Sequence, residues 1–460
     1  MALLLTESPR PARVRDWAHG WWLAIATVCL GAFMGQLDAS IAVLTYPAVE
    51  ARFGASAAAV EWVSLGYLLA LIALLVPAGR LADAYGRKLL YLYGFLVFTA
   101  ASAACGLAPG LGALIGFRVV QAVGAALMQA NSVALVVTSA PRDRSRAALG
   151  VQAGAQALGL ALGPTLGGVI VTELGWRWVF LVNVPVGVVA VVAGYYFLPR
   201  TRTRAPVTRF DWPGLGLLAV SSAALLLAIS AASGLELGPV VVGALFVVAV
   251  AAGVGLARRL SRAECPLIDP ALLRTRRTVL GLVGALGGYL VLFGPLVLVP
   301  DVLTARGVSL AMAGLVLTAL PAGFAVAAVG GDRVLPGAWS NRRRGLMGSA
   351  LACGALVVML AVMAVAPARV LYLVPLLAVL GLGLGVFAPA NNALVMAGIP
   401  AGAEGTGGGL VNMARALGTA LGVALVTLSL HQGQHAETAS GLLAVVGVGV
   451  FAATWMAGAG

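Results

Sequence analysis

The sequence predicts an all-α polytopic membrane protein built from two copies of one helical plan, and three observations predict it. Of 460 residues, 61% are hydrophobic and only 10% are charged, too little polar surface to enclose a soluble core. Apolar runs of about twenty residues, the length that crosses a hydrocarbon core of roughly 30 Å, recur fourteen times. The chain also repeats itself. An offset of 259 carries ALGLALG from Ala157 onto ALGTALG from Ala416, and Gly124, Pro141, Gly150 and Gly163 onto Gly383, Pro400, Gly409 and Gly422.

The predicted spans begin near Trp22, Val60, Leu89, Leu111, Ala147, Val179, Trp212, Gly238, Thr278, Ala311, Gly345, Val370, Gly405 and Gly441. Helices are expected because backbone polar groups in lipid must be satisfied internally, and the runs lack the alternation of barrel strands. Charge then orients them. With the amino terminus inside, the inner segments carry 23 Lys and Arg and the outer loops four (Arg52, Arg177, Arg306 and Arg369), while Arg118 and Arg415 fall within spans. Both termini are therefore expected in the cytoplasm. The net charge of +13 reads as topology, with no nucleic-acid partner implied. No cleavage site follows a short apolar core at the amino terminus. The four cysteines show no CxxC pair or ligand spacing, so neither disulfide nor metal is expected, and no cofactor. His19, His431 and His435 read as interfacial residues, with pH sensing as the alternative.

Taken in order, the chemistry-bearing residues begin with Asp38, in LDASIAVLTYP of span 1. A carboxylate there costs roughly 2.5 to 3.5 kcal/mol on insertion scales, which marks it as a functional candidate. At about 1.5 Å per residue, Asp38 lies about 12 Å and Arg118 of span 4 about 10 Å below the outer ends of their helices. Two readings fit the matched depth: a fixed ion pair, or a carboxylate whose protonation depends on whether Arg118, water or a cation stands beside it. Glu61 and Asp301 are acids at the outer ends of spans 2 and 9. Glu61 either attracts a cationic substrate or is placed by the helix dipole, and Asp301 either serves the cavity or is simply solvated. Arg415, near mid-depth in span 13, and Asn412 beside it are candidate cavity residues, with an anionic substrate group or the carbonyls of a broken helix as partners for the arginine.

Between spans 2 and 3 stands GRLADAYGRK, from Gly79 to Lys88. Gly79 and Gly86 permit a tight turn, and Asp83, Arg87 and Lys88 can pair with helix termini and with each other. In span 5, Gly159, Gly163 and Gly167 are spaced four apart with Pro164 and Gly168 among them, a groove of small residues that lets backbones approach closely. Arg118, Gln121 and Gly124 in span 4 and WRWVFLVNVP from Trp176 complete the set.

In this order the motifs resemble those of the fourteen-span drug:proton antiporters of the major facilitator superfamily. The resemblance covers nearly the whole chain. It implies a major facilitator fold with a six-helix bundle over residues 1–199, a linker with two additional helices over 200–277, and a second six-helix bundle over 278–460. It also implies Asp38 and Arg118 in proton coupling, a cytoplasmic gating loop of Gly79, Asp83, Gly86, Arg87 and Lys88, and an antiporter motif of Gly159, Gly163, Pro164, Gly167 and Gly168 that keeps the bundle interface tight. Val43, Glu61 and Ala122 stand where the family commonly has asparagine, glutamine and glycine, and Leu377 occupies the repeat position of Arg118.

The reading is a monomeric, proton-coupled exporter of amphipathic drug-like or antibiotic compounds in the cytoplasmic membrane of a bacterium, its partners being a small-molecule substrate, protons and lipid. Proton-coupled uptake is the alternative within transport. A membrane enzyme would need a converging nucleophile, base or metal cluster, which the sequence does not offer. A non-transporting sensor would need an output domain, for which the inner loop from Arg258 to Arg277 is too short. The charge partition makes a direct prediction: an impermeant thiol reagent applied to intact cells leaves Cys265 unmodified. Labelling as fast as that of a cysteine placed at Gly307 would reverse the orientation.

Overall fold

A computed structural model describes residues 7–457 apart from 8, 18, 202–203, 205–209, 233–237, 306, 309, 366–371 and 432–435. Arg306, Arg369 and His435 lie outside the described residues, as do the side chains of Asp301, Pro164 and His431. The long helices are α1 (Trp21–Ala42), α2 (Ala57–Tyr85), α3 (Arg87–Gly106), α4 (Leu111–Ser139), α5 (Ser145–Glu173), α6 (Asn183–Phe197), α7 (Trp212–Ala232) and α8 (Pro239–Arg262). They continue with α9 (Arg276–Ala305), α10 (Ala319–Val334), α11 (Asn341–Val365), α12 (Leu373–Ala397), α13 (Glu404–His431) and α14 (Ala436–Ala457). Short helical turns, Trp176–Leu181 and Leu310–Leu317, lead into α6 and α10.

Eleven helices among the described residues are long and apolar enough to cross a membrane, or twelve when Ser145–Gly163 and Leu166–Glu173 of α5, bent by 42°, count as one span. The other two of the fourteen long helices, α7 and α14, run 21 and 22 residues and include the apolar stretches Trp212–Ala228 and Gly441–Thr454. α9 is the most enclosed span, with 72% of its apolar window buried, whereas α8 has 11% and presents Val240, Val247 and Val250 outward. Such an apolar exterior is stable only against lipid.

Lipid is as apolar as leucine, so helix association here relies on close van der Waals contact. The sequence repeat reappears as repeated backbone contacts. A Cβ on Gly159 would stand 2.6 Å from the Phe33 carbonyl oxygen of α1, and one on its repeat partner Gly418 would stand 2.1 Å from that of Leu286 in α9. Gly124 meets the backbone of α3 at Phe98, as Gly383 meets that of α11 at Ala352. Between the halves, Gly150 of α5 meets the Ala328 carbonyl of α10, while Gly409 of α13 meets that of Leu75 in α2. Each hydrophobic core therefore borrows from the other half: Met396, Ile399 and Leu410 join the first, Ala153 and Ala157 the second.

These contacts show what the glycine ridge packs on. Gly159, Gly163 and Gly167 pack on Phe33, Ser40 and Ile41 of α1, inside the first bundle, and nothing stands within 4 Å of a Cβ on Gly168. Four-residue spacing marks a packing face without saying which helix fills it. The contact between halves falls earlier in α5, on Gly150 and on Gly154, which meets Val329.

The extra pair α7 and α8 pack on each other, and α7 leans on α2 and α13. Its base is clasped by Asp211, whose buried carboxylate accepts from Arg259 Nε (2.6 Å) and from the amides of Gly214 (3.0 Å) and Leu267 (3.1 Å). Burial pushes that carboxyl's pKa up, but Arg259 and the two amides outweigh it and hold the pKa below its ordinary value. The clasp is therefore charged at neutral pH and loses its stabilising effect only as pH falls through that lowered pKa.

Overpacking a filled contact costs roughly 1–3 kcal/mol. Gly150→Leu and Gly409→Leu should each lower the thermal midpoint of purified protein, whereas Gly168→Leu should leave it close to native. Equal shifts in all three would mean that glycine contacts do not join the halves.

Candidate functional site

The deepest polar cluster lies inside the first half, where α1, α3, α4 and α6 converge. Asp38 and Arg118 are fully buried and paired, Arg118 Nη1 donating to Asp38 Oδ2 at 2.5 Å. Asp38 Oδ1 accepts from Gln121 Nε2 and Asn183 Nδ2, both at 3.0 Å. Gln121 donates further to Ser102 Oγ (2.6 Å) and accepts from Arg118 (2.7 Å), and Arg118 Nε donates to the Val63 carbonyl of α2 (3.2 Å). The Tyr67 and Phe180 rings stand 4.2 and 5.6 Å from the guanidinium. The depths read from residue counts thus meet in contact. The ridge of α5 braces the same turn, since Gly159 abuts Leu37 and Gly163 abuts Ser40, on either side of Asp38.

A second cluster joins the halves on the arginine-rich face. Orphan amides at a helix start favour an anion, and Asp83 of α2 supplies one to α13. Its carboxylate accepts from the Gly405 and Thr406 amides (2.7 Å each), from Thr406 Oγ1 (2.8 Å) and from Arg87 Nε (3.1 Å). Arg87 pairs in turn with Glu404. Gly79 allows the approach, because a Cβ there would stand 2.2 Å from the Gly405 carbonyl, and Gly86 turns the chain at φ 119°. Lys88 points elsewhere, donating to the Tyr195 carbonyl at the end of α6 (2.7 Å). The second half answers with Asp332, which accepts from Arg146 of α5 (2.6 Å) and Arg344 (3.0 Å).

Between the two clusters lies the centre of the molecule. Here Asn412 Nδ2 donates to the Gln129 carbonyl of α4 (2.8 Å) and Asn412 Oδ1 accepts from Arg415 Nη1 (3.2 Å). Tyr289 of α9 donates to Gln156 Oε1 of α5 (3.4 Å), and its ring centroid is 5.1 Å from the Arg415 guanidinium. Two voids of about 10 Å³ adjoin at Tyr289, Leu292 and Phe324, each with room for roughly one water. A much wider cleft, about 960 Å³, opens on the arginine-rich face beside Arg142, Arg146 and Glu404, away from this centre.

The structure thus brings Asp38 to Arg118, Asp83 to Arg87, and Asn412 to Arg415, and does not bring Glu61 to any of them. Glu61 is exposed in the second turn of α2, whose start is capped by Ser56, so the helix-dipole placement expected for it falls one turn away from the amide ends. Ser102, Tyr67, Glu404 and Asp332 are absent from the sequence reading. Glu404, the acid at the start of a basic-poor span, and Asp332, between two glycines and an arginine, were its available signals.

The model of the Major Facilitator Superfamily matches residues 28–423. A riboflavin transporter of Clostridioides difficile is 30% identical over 88% of this chain and 87% of its own length. A methylenomycin A resistance protein of Streptomyces coelicolor is 32% identical over 92% of this chain and 88% of its own. Among solved structures, the human organic anion transporter MFSD10 superposes with a TM-score of 0.69 at 18% identity, covering 94% of this chain and 99% of that one. The chain belongs to the Major Facilitator Superfamily and is one of its membrane transporters.

Proposed function

We propose that this transporter exports amphipathic, drug-like or antibiotic compounds across the cytoplasmic membrane of a bacterium, in exchange for protons, as a monomer working by alternating access. The observation that carries the reading is the Asp38 and Arg118 pair, a titratable group held inside the bilayer depth by α1, α4 and α6. The division into residues 1–199, 200–277 and 278–460, with both termini cytoplasmic, belongs to the same reading. Export is favoured by the resistance protein among the relatives. The riboflavin transporter supports a second reading, proton-driven uptake.

Chemically, the ionised carboxylate links three helices. Its protonation cancels the attraction to Arg118 and leaves a buried cation without its partner, a change worth about 3–5 kcal/mol in comparable buried pairs. That energy is enough to shift the packing of α1 against α4 and so to change which face is open. Asp83 and Arg87, with Arg146 and Asp332, would hold the cytoplasmic face shut, because opening it exposes the α13 amides that Asp83 satisfies. Glu61 and Asp301 are the next acids on the outer side, and no metal or cofactor takes part in this scheme.

Asp38→Asn keeps the shape and removes the titratable group. In vesicles under an imposed pH gradient, with lipophilic cations, neutral antibiotics and sugars as the panel, its driven flux should fall to that of protein-free vesicles. Substrate affinity should stay within about threefold of native. A variant that still concentrates substrate as the native protein does would move the proton site elsewhere.

A further inference from the structure

Two arginines are buried within the long apolar helices, and their surroundings differ. Arg118 has a carboxylate, a glutamine, a backbone carbonyl and two rings. Arg415 is 5% exposed, yet among the described residues no carboxylate lies within ion-pair distance of it. It donates once, to Asn412, and its Nε, though buried, has no partner. A guanidinium carries five donors and a charge that burial makes costly unless an anion or several acceptors compensate it. Its position is also informative. The repeat offset of 259 carries Gln156 onto Arg415, and the two repeat-related side chains flank one residue, Tyr289, whose hydroxyl faces Gln156 and whose ring faces Arg415. Arg415 therefore lies where the halves meet.

We infer that Arg415 is the anion-binding residue of the substrate site, and that the transported compounds are aromatic molecules bearing a negatively charged group such as a carboxylate, sulfonate or phenolate. The inference rests on the export reading and sharpens it. Among the described residues no carboxylate compensates Arg415: Asp38 is held by Arg118 within the first half, and on the arginine-rich face Asp83 and Glu404 share Arg87 while Asp332 pairs with Arg146 and Arg344. The centre thus carries one uncompensated positive charge, which repels a cation and draws an anion. Around it stand Tyr289, Phe293, Phe324 and Phe387, which suit a flat apolar body. With both voids only water-sized, ligand entry requires the halves to part at this level, and an anion at Arg415 would take up the donors that Asn412 alone leaves unused.

The test uses three naphthalene fluorophores of matched size: a sulfonate, the neutral sulfonamide and a trimethylammonium derivative. Binding to purified protein is followed by tryptophan quenching, and flux in vesicles under a pH gradient. The sulfonate should bind at least about tenfold more tightly than the ammonium compound. Arg415→Gln should abolish that preference while leaving sulfonamide affinity near native, and Arg415→Lys, which keeps the charge without the fork, should retain part of it. Binding and export of the ammonium or neutral compound without a preference for the sulfonate would overturn the anion site and leave export standing. An equal loss of all three ligands in Arg415→Gln would make the residue structural and also overturn it. If the native protein binds and moves none of them, the export reading falls together with the anion site.

Discussion

The structure depends first on the absence of a hydrophobic reward for joining helices within lipid. What remains is contact distance, and glycine sets it. α5 lies on α1, α13 on α9, α4 on α3 and α12 on α11 because a hydrogen stands where any other residue would place carbon within about 3 Å of a neighbouring backbone. The same constraint explains why the repeat survives most clearly in glycines. Leu377 can replace the residue corresponding to Arg118 without changing the packing, since it is fully buried among apolar neighbours, but a side chain at Gly422 would collide with the Leu290 carbonyl.

A second constraint is charge compensation away from water. It is met thoroughly in the first half, where Asp38 accepts from three side chains, and at the face where Asp83 serves as an anion for the start of a helix from the other half. These two clusters differ in what surrounds them. The Asp38 cluster is enclosed by one bundle, and its hydrogen bonds are made without any residue of the other. The Asp83 cluster is shared and exists only while α2 and α13 touch. One is enclosed and the other shared, and α2, which sets the Val63 carbonyl and the Tyr67 ring against Arg118 and carries Asp83 near its other end, is an element that touches both clusters.

Much of the fold was legible in composition, run length and the internal offset, because those express solvent and packing directly. The Asp38 and Arg118 contact was legible too, since helical rise converts residue counts into depth. Partners separated by hundreds of residues were not: nothing local ties Arg87 to Glu404 or Arg146 to Asp332. Asn183 was quoted as part of a motif, yet a single amide in an apolar run does not say which way it faces. The glycine ridge was legible as a surface, but the helix that fills it was not, for the same reason.

The positions of Gly150 and Gly409 have a mechanical consequence. Each lies five residues after the start of its helix, about 8 Å in from the arginine-rich face. Two bearing points at equal depth define an axle running parallel to the membrane and close to one side of it. A rotation of about 10° around that axle moves the nearby ends by little more than 1 Å, yet sweeps the far ends, roughly 25 Å away in a bilayer-spanning helix, through about 4 Å. Such leverage lets small rearrangements of salt bridges at one surface produce a wide aperture at the other.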